Sequence, residues 1–95
     1  MKIERTAEFA GWLDGLKDLH ARARIQVRIA RLGAGNPGQF RNLSGGVSEL
    51  KIDVGAGYRV YYTQRGDVLV ILLCGGTKAS QHADIRTAQA MVKHL

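Results

Sequence analysis

The side chains with the most evident chemical potential are cations and a phenol placed around glycine turns. Lys51 and Arg59 lie in two consecutive strand-like segments, Tyr61 follows in the second, and Lys78 comes shortly after a long apolar run. Such a set suits metal-free cleavage of an RNA phosphodiester, in which the 2′-hydroxyl attacks the neighbouring phosphorus. Arg59 would clamp the phosphate bidentately, and Lys51 would act as a base if neighbouring cations and burial favoured its neutral form. His82 or Tyr61 would protonate the leaving oxygen.

The same residues also fit a purely structural interpretation. Lys51 and Arg59 would then form ion pairs with Glu49 and Asp53 on an exposed face of a sheet. Few other chemical sites are evident, because the lone Cys74 lies inside the apolar run and no Ser/His/Asp or Cys/His set is placed for catalysis. We therefore expect neither a metal nor a cofactor, since the three histidines lack ligand spacing; they stand at positions 20, 82 and 94.

Three strand-like segments must position these side chains. Apolar and polar residues alternate over 49–54 and over 58–63, which is typical of half-buried strands. Residues 68–74 are all apolar, which predicts a central strand covered on both faces. The turn Gln-Arg-Gly-Asp before this strand contributes Arg65, which we assign together with Tyr61 to RNA contact. A loop, Gly-Gly-Thr-Lys, is expected after the strand.

Helical patterns flank the three segments. Residues 2–5 are expected to add an edge strand, and Thr6 to cap a helix whose apolar residues recur at i, i+3, i+4 and i+7. Asp18 would cap a second helix reaching about Leu32, with Leu19 opening its buried stripe. The glycine-rich residues 33–48 predict a long loop, and Ser80 would cap a last helix. The order β-α-α-β-β-β-α in 95 residues predicts one α+β domain over 1–95.

The charge of the chain indicates an anionic partner. Fourteen Lys and Arg against eight Asp and Glu give a net charge of +6. Several arginines lie on the second predicted helix, as a solvated basic face or as a docking surface for an acidic protein or a nucleic acid backbone. This candidate partner-binding set is Arg22, Arg24, Arg28 and Arg31. The sequence shows no secretory signal and no apolar run of about 20 residues, so we expect a cytoplasmic protein without a membrane partner.

Several motifs are shared with a known superfamily. They are Glu-Leu-Lys-Ile, Gly-Ala-Gly-Tyr-Arg-Val-Tyr-Tyr, the apolar strand, Cys-Gly-Gly-Thr-Lys, and Gln81 with Asp84-Ile85. With these motifs the chain resembles small toxins of the RelE/ParE superfamily, and in particular the HigB-like addiction module killer proteins. The resemblance extends over nearly the whole chain. It implies an α+β fold in which two N-terminal helices pack on a small twisted antiparallel sheet with a C-terminal helix.

The resemblance also implies a function. RNases of this superfamily typically cleave mRNA in the ribosomal A site with basic residues on the sheet, which here match Arg59, Lys51 and Lys78. The proton donor has no clean counterpart, and His82, Asp84 and His94 remain open for that role. Such a toxin would be held inactive by a helix-turn-helix antitoxin bound at the basic second helix or at the cationic sheet face. Contact with operator DNA would be indirect, through the antitoxin.

Two alternatives remain open at the level of sequence. Toxins of the ParE type use the same fold to poison DNA gyrase without enzymatic chemistry, whereas the cations at 51, 59 and 78 favour an RNase. The third interpretation is an inactive relative that serves only as a binding module.

Overall fold

The computed structural model describes residues 1–95 as an α+β protein with three helices and one five-stranded mixed sheet. The strands are β1 (Lys2–Arg5), β2 (Phe40–Asn42), β3 (Ser48–Ile52), β4 (Tyr58–Arg65) and β5 (Leu69–Thr77). The helices are α1 (Ala7–Asp14), α2 (Leu19–Gly33) and α3 (Gln81–Lys93), the last preceded by a 3₁₀ turn over Lys78–Ser80. In space the strands follow the order β1-β5-β4-β3-β2.

The edge strand predicted at residues 2–5 is confirmed, with one difference from the expected antiparallel sheet. β1 runs parallel to β5, whereas all other neighbouring strands are antiparallel. A parallel neighbour requires a crossover connection, and here the two helices α1 and α2 lie between β1 and the rest of the sheet in the chain. The sheet is therefore mixed.

Apolar side chains cover both faces of the sheet. On one face Phe9 and Leu13 of α1 and Ile25 of α2 join a buried cluster with the inward residues of β3, β4 and β5. On the other face Ala88 of α3 meets a second cluster, formed by Val47, Tyr61, Leu73 and Cys74. The predicted faces of β3 and β4 and the doubly covered apolar strand are confirmed. The prediction that β4 is half-buried is wrong, because residues 58–63 are all buried and α3 packs on the second face.

The helix starts agree with the sequence in two of three cases. The Thr6 hydroxyl accepts a hydrogen bond from the Phe9 amide at 3.0 Å, and the Asp18 carboxylate accepts one from the Ala21 amide at 3.0 Å. Ser80 occupies the expected position before α3 but makes no capping bond, and its hydroxyl donates to Asp84 Oδ2 at 2.6 Å. Leu19, expected in the buried stripe of α2, is instead 69% exposed.

Two predictions of irregular structure are wrong. Residues 40–42, placed in a long loop, form β2 and pair with β3 through Phe40↔Leu50 and Asn42↔Ser48. The glycine pair expected in a loop after the apolar strand belongs to β5. Gly75 lies under the Trp12 ring and Gly76 under the Asp84 carboxylate, so both glycines are explained by close packing.

Candidate functional site

A cleft of about 410 Å³ opens where the last residues of β3 meet the first residues of β4 and the start of α3. The pairing of strands builds it, because Lys51 lies directly opposite Arg59 and Arg41 directly opposite Glu49. Three cations and one carboxylate therefore share one small concave surface, which gives it a net positive charge. Its lining consists of Gln39, Phe40, Arg41, Glu49, Lys51, Arg59 and Gln81.

Arg59 is held deep in this cleft, with only 6% of the residue exposed. Its Nη1 donates to the carbonyl of Gly57 at 2.9 Å, and its Nε lies 3.9 Å from Glu49 Oε1. That distance is an ion pair but not a hydrogen bond, and the buried Nε has no other acceptor. A buried donor without an acceptor is costly, so Arg59 is held in the cleft at some expense of stability.

Glu49 is the buried carboxylate of the site, with 3% of the residue exposed. Arg41 Nε donates to its Oε1 at 2.9 Å and Gln81 Nε2 donates to its Oε2 at 3.0 Å. Burial by itself raises the pKa of Glu49, but the hydrogen bonds from Arg41 and Gln81 outweigh burial, and the pKa is lowered. Glu49 is therefore ionised in the folded protein at neutral pH.

This arrangement predicts a pH dependence of stability. A carboxylate whose folded-state pKa is lowered adds stability above its unfolded pKa, and that stability is lost as the pH falls through the folded pKa. We expect the free energy of unfolding to differ most between wild type and Glu49→Gln at neutral pH, and the difference to shrink below about pH 4. Urea denaturation at a series of pH values measures it, with the exposed Glu4→Gln as control. A difference that stays constant with pH would contradict an ionised Glu49.

The structure gives Tyr61 a different place from the one predicted. Its side chain is fully buried, so it cannot stack on a base or protonate a leaving group. The hydroxyl lies beside Glu49 without a well-formed hydrogen bond, and burial together with the charge of Glu49 raises the pKa of Tyr61. Tyr61 therefore packs in the apolar cluster under α3 and does not line the cleft.

The remaining predicted catalytic residues lie near the cleft or outside it. Lys51 lines the cleft beside Arg59. Lys78 is exposed, but its amide donates at 2.8 Å to the Gly57 carbonyl that also accepts from Arg59, so its backbone is close to the site. His82 is exposed in the first turn of α3 and does not line the cleft.

Arg65, the other predicted RNA contact, is not brought to the cleft. It is exposed at the end of β4, opposite Leu69. Six residues of strand separate it from Arg59, which corresponds to about 20 Å. Conversely, sequence reasoning missed Arg41 and Gln39, because both fall in the stretch predicted as a loop. It also treated Glu49 only as an ion-pair partner.

The four arginines of α2 divide into three kinds. Arg22 pairs with Asp14 at 3.3 Å within the N-terminal region. Arg28 is bound to three backbone carbonyls, and burial and the neighbouring charges of Arg31 and Arg24 lower the pKa of its guanidinium. Arg24 and Arg31 are exposed and face solvent. Arg24 and Arg31 are therefore the two arginines of the predicted partner-binding set that have no hydrogen bond or ion pair from their side chains.

Fold and site together define a class: a small α+β protein with a cationic cleft on the sheet and a buried carboxylate within it. Comparison with known proteins adds one relative, described as an uncharacterized protein of Haemophilus influenzae, which is 46% identical over 95 residues. The match covers 100% of this chain and 96% of the relative, and the chain belongs to the same protein family. No protein-family model and no solved structure matches the chain.

Two kinds of feature are absent from the whole structure. None of its helices has the length and apolar character that crossing a membrane requires. No group of three or more His, Cys, Asp and Glu side chains is arranged to hold a metal ion.

Proposed function

We propose that this protein is the toxin of a type II toxin-antitoxin system, with a RelE/ParE-like fold of the HigB-like branch. In this proposal it is a metal-independent, ribosome-dependent mRNA endoribonuclease that inhibits translation. The observation that carries the proposal is the cleft, in which Lys51 and Arg59 are direct cross-strand neighbours and Arg41 and Glu49 face them. Converging cations on a rigid sheet suit a phosphate whose charge increases in the transition state.

The geometry supports a division of roles within the cleft. Arg59 and Lys51 hold the scissile phosphate and compensate its developing charge. Glu49 is a poor base, because it is almost fully buried, its oxygens already accept from Arg41 and Gln81, and its pKa is lowered. It holds Arg41 in place, and Lys51, which lines the cleft, stays the predicted base. As the 2′-oxygen bonds to phosphorus, its proton passes to the neutral form of Lys51, while the bond to the 5′-oxygen breaks and that oxygen takes a proton from a cation or water of the site. A 2′,3′-cyclic phosphate and a free 5′-hydroxyl result.

The partner in this proposal is a cognate helix-turn-helix antitoxin. The exposed Arg24 and Arg31 on α2, and the cleft itself, offer positive charge to an acidic segment of such a protein. Contact with operator DNA would then occur through the antitoxin.

Primer extension on a defined mRNA, with and without translating ribosomes, tests the proposal. We expect cuts only with ribosomes and only with an intact cleft, so Lys51→Ala should weaken them while Arg65→Ala, which removes the same charge about 20 Å away, should not. If cuts also appear without ribosomes, the RNase part of the proposal stands and its dependence on ribosomes is wrong. If no RNA is cut in either condition, a ParE-type action on DNA gyrase becomes the better hypothesis, and DNA cleavage complexes would be assayed.

A further inference from the structure

Arg28 binds the backbone of Lys51 and Gln39, which line the cleft, and of the nearby Pro37. Its Nη1 donates to the carbonyl of Lys51 at 2.7 Å, and its Nη2 donates to the carbonyls of Pro37 at 3.0 Å and Gln39 at 2.9 Å. Both Lys51 and Gln39 line the cleft. Arg28 itself projects from α2, the helix that covers the opposite face of the sheet. One guanidinium therefore binds both β3 and the chain that leads into β2.

The segment held by Arg28 has few other attachments. β2 is three residues long, all of them exposed, and forms an edge of the sheet. The chain that leads into it contains Gly35 and Gly38, both with positive φ, so its backbone is intrinsically permissive. The Gln39 carbonyl accepts from the Lys51 amide at 3.1 Å in addition to Arg28. Arg41, which bonds Glu49, follows only two residues later.

We propose that Arg28 is a positioning residue of the cleft: it fixes Gln39 and the start of β2 against β3 and thereby places Arg41 over Glu49. A guanidinium suits this task because its two Nη atoms reach carbonyls on two separate segments, whereas lysine presents all three of its donors from one nitrogen. Arg28 acts through Arg41 and does not itself touch a substrate. Its effect on RNA cleavage rests on the proposed function, but its effect on Glu49 does not.

The first test is independent of any activity. Arg28→Lys and Arg28→Gln are compared with Arg86→Lys and Arg86→Gln, which make the same changes at an exposed position of α3. Nuclear magnetic resonance follows the titration of the Glu49 carboxyl and the exchange of the Lys51 amide. We expect the pKa of Glu49 to be higher in both Arg28 variants, because Arg41 no longer keeps its hydrogen bond to Glu49. We also expect the Lys51 amide hydrogen to exchange faster, because its acceptor Gln39 is no longer fixed. A folded Arg28 variant with an unchanged Glu49 pKa overturns the proposal.

The second test measures whether Arg28 affects RNA cleavage. Cleavage by Arg28→Lys is expected to fall on the order of tenfold to a hundredfold, since small displacements of catalytic groups have effects of that size. Binding of a 2′-O-methyl RNA, which cannot be cleaved, should weaken less than the rate, and the Arg86 variants should match wild type. If wild type neither binds nor cuts RNA while Glu49 responds to Arg28→Lys, the proposed function fails and the role of Arg28 stands. If Glu49 responds but cleavage is unchanged, Arg28 is structural only.

Discussion

The Arg59→Ala variant is expected to lose about a hundredfold to a thousandfold in the rate of RNA cleavage, the typical cost of removing one preorganised donor to a developing oxyanion. Arg59 is the most deeply buried cation of the cleft and has a donor, Nε, without an acceptor in the protein. Glu49 retains its hydrogen bonds from Arg41 and Gln81 when Arg59 is removed, so the buried carboxylate keeps two partners in the variant. Single-turnover cleavage and growth arrest on expression measure the loss.

The comparison requires a variant with the same change in net charge. Arg65→Ala removes a cation from the distant end of the same strand and should cleave at the wild-type rate. Arg59→Lys keeps a charge in the cleft but loses the bidentate geometry, so its rate should lie between those of wild type and Arg59→Ala. Circular dichroism melts establish that each variant is folded. Full activity in a folded Arg59→Ala protein would remove Arg59 from the site and leave Lys51 and Arg41 as the phosphate ligands.

The largest effect on stability is expected for Gly75→Ala. A Cβ at this position would fall within the ring of Trp12, with Cζ3 and Cε3 as the nearest atoms. The ring cannot retreat freely, because its centroid lies 5.7 Å from that of Phe9 and 6.4 Å from that of Tyr58. Relief would therefore require α1 to move away from β5. Overpacking of this kind costs typically about 1–3 kcal/mol, and urea denaturation measures the free energy of unfolding.

Gly11 offers the matched control, since no atom lies within 4 Å of a Cβ built there. Gly11→Ala should stabilise the protein by roughly 0.5–1 kcal/mol, because it lies within α1 on an exposed face. A double-mutant cycle identifies the cause of the loss at Gly75: with Trp12→Leu in place, Gly75→Ala should destabilise less than it does alone. If Gly75→Ala lowers the free energy of unfolding equally with and without Trp12, the backbone of β5 requires glycine for a reason other than the indole.

Much of the fold follows from local patterns in the sequence. Alternation in β3 and β4 correctly separated Leu50 and Val60 from Lys51 and Arg59, because successive side chains of a strand point to opposite faces. Thr6 and Asp18 marked the starts of α1 and α2, because their side chains accept from amides three residues later. Both signals depend only on neighbours along the chain. The cationic pair of the candidate site was therefore visible before the structure.

Only the tertiary structure decided which groups join that pair. Arg41 reaches Glu49 because β2 adds to the edge of β3, and a three-residue strand with no buried side chain has no pattern of its own. Tyr61 is buried because α3 covers its face of the sheet, a long-range contact that its position in an alternating strand could not reveal. Arg28 likewise looked equal to Arg24 and Arg31, and it differs only because three carbonyls from distant residues converge on it. The sequence by itself determined four of the five strands and the faces of β3 and β4, while burial and pairing across the chain decided the composition of the site.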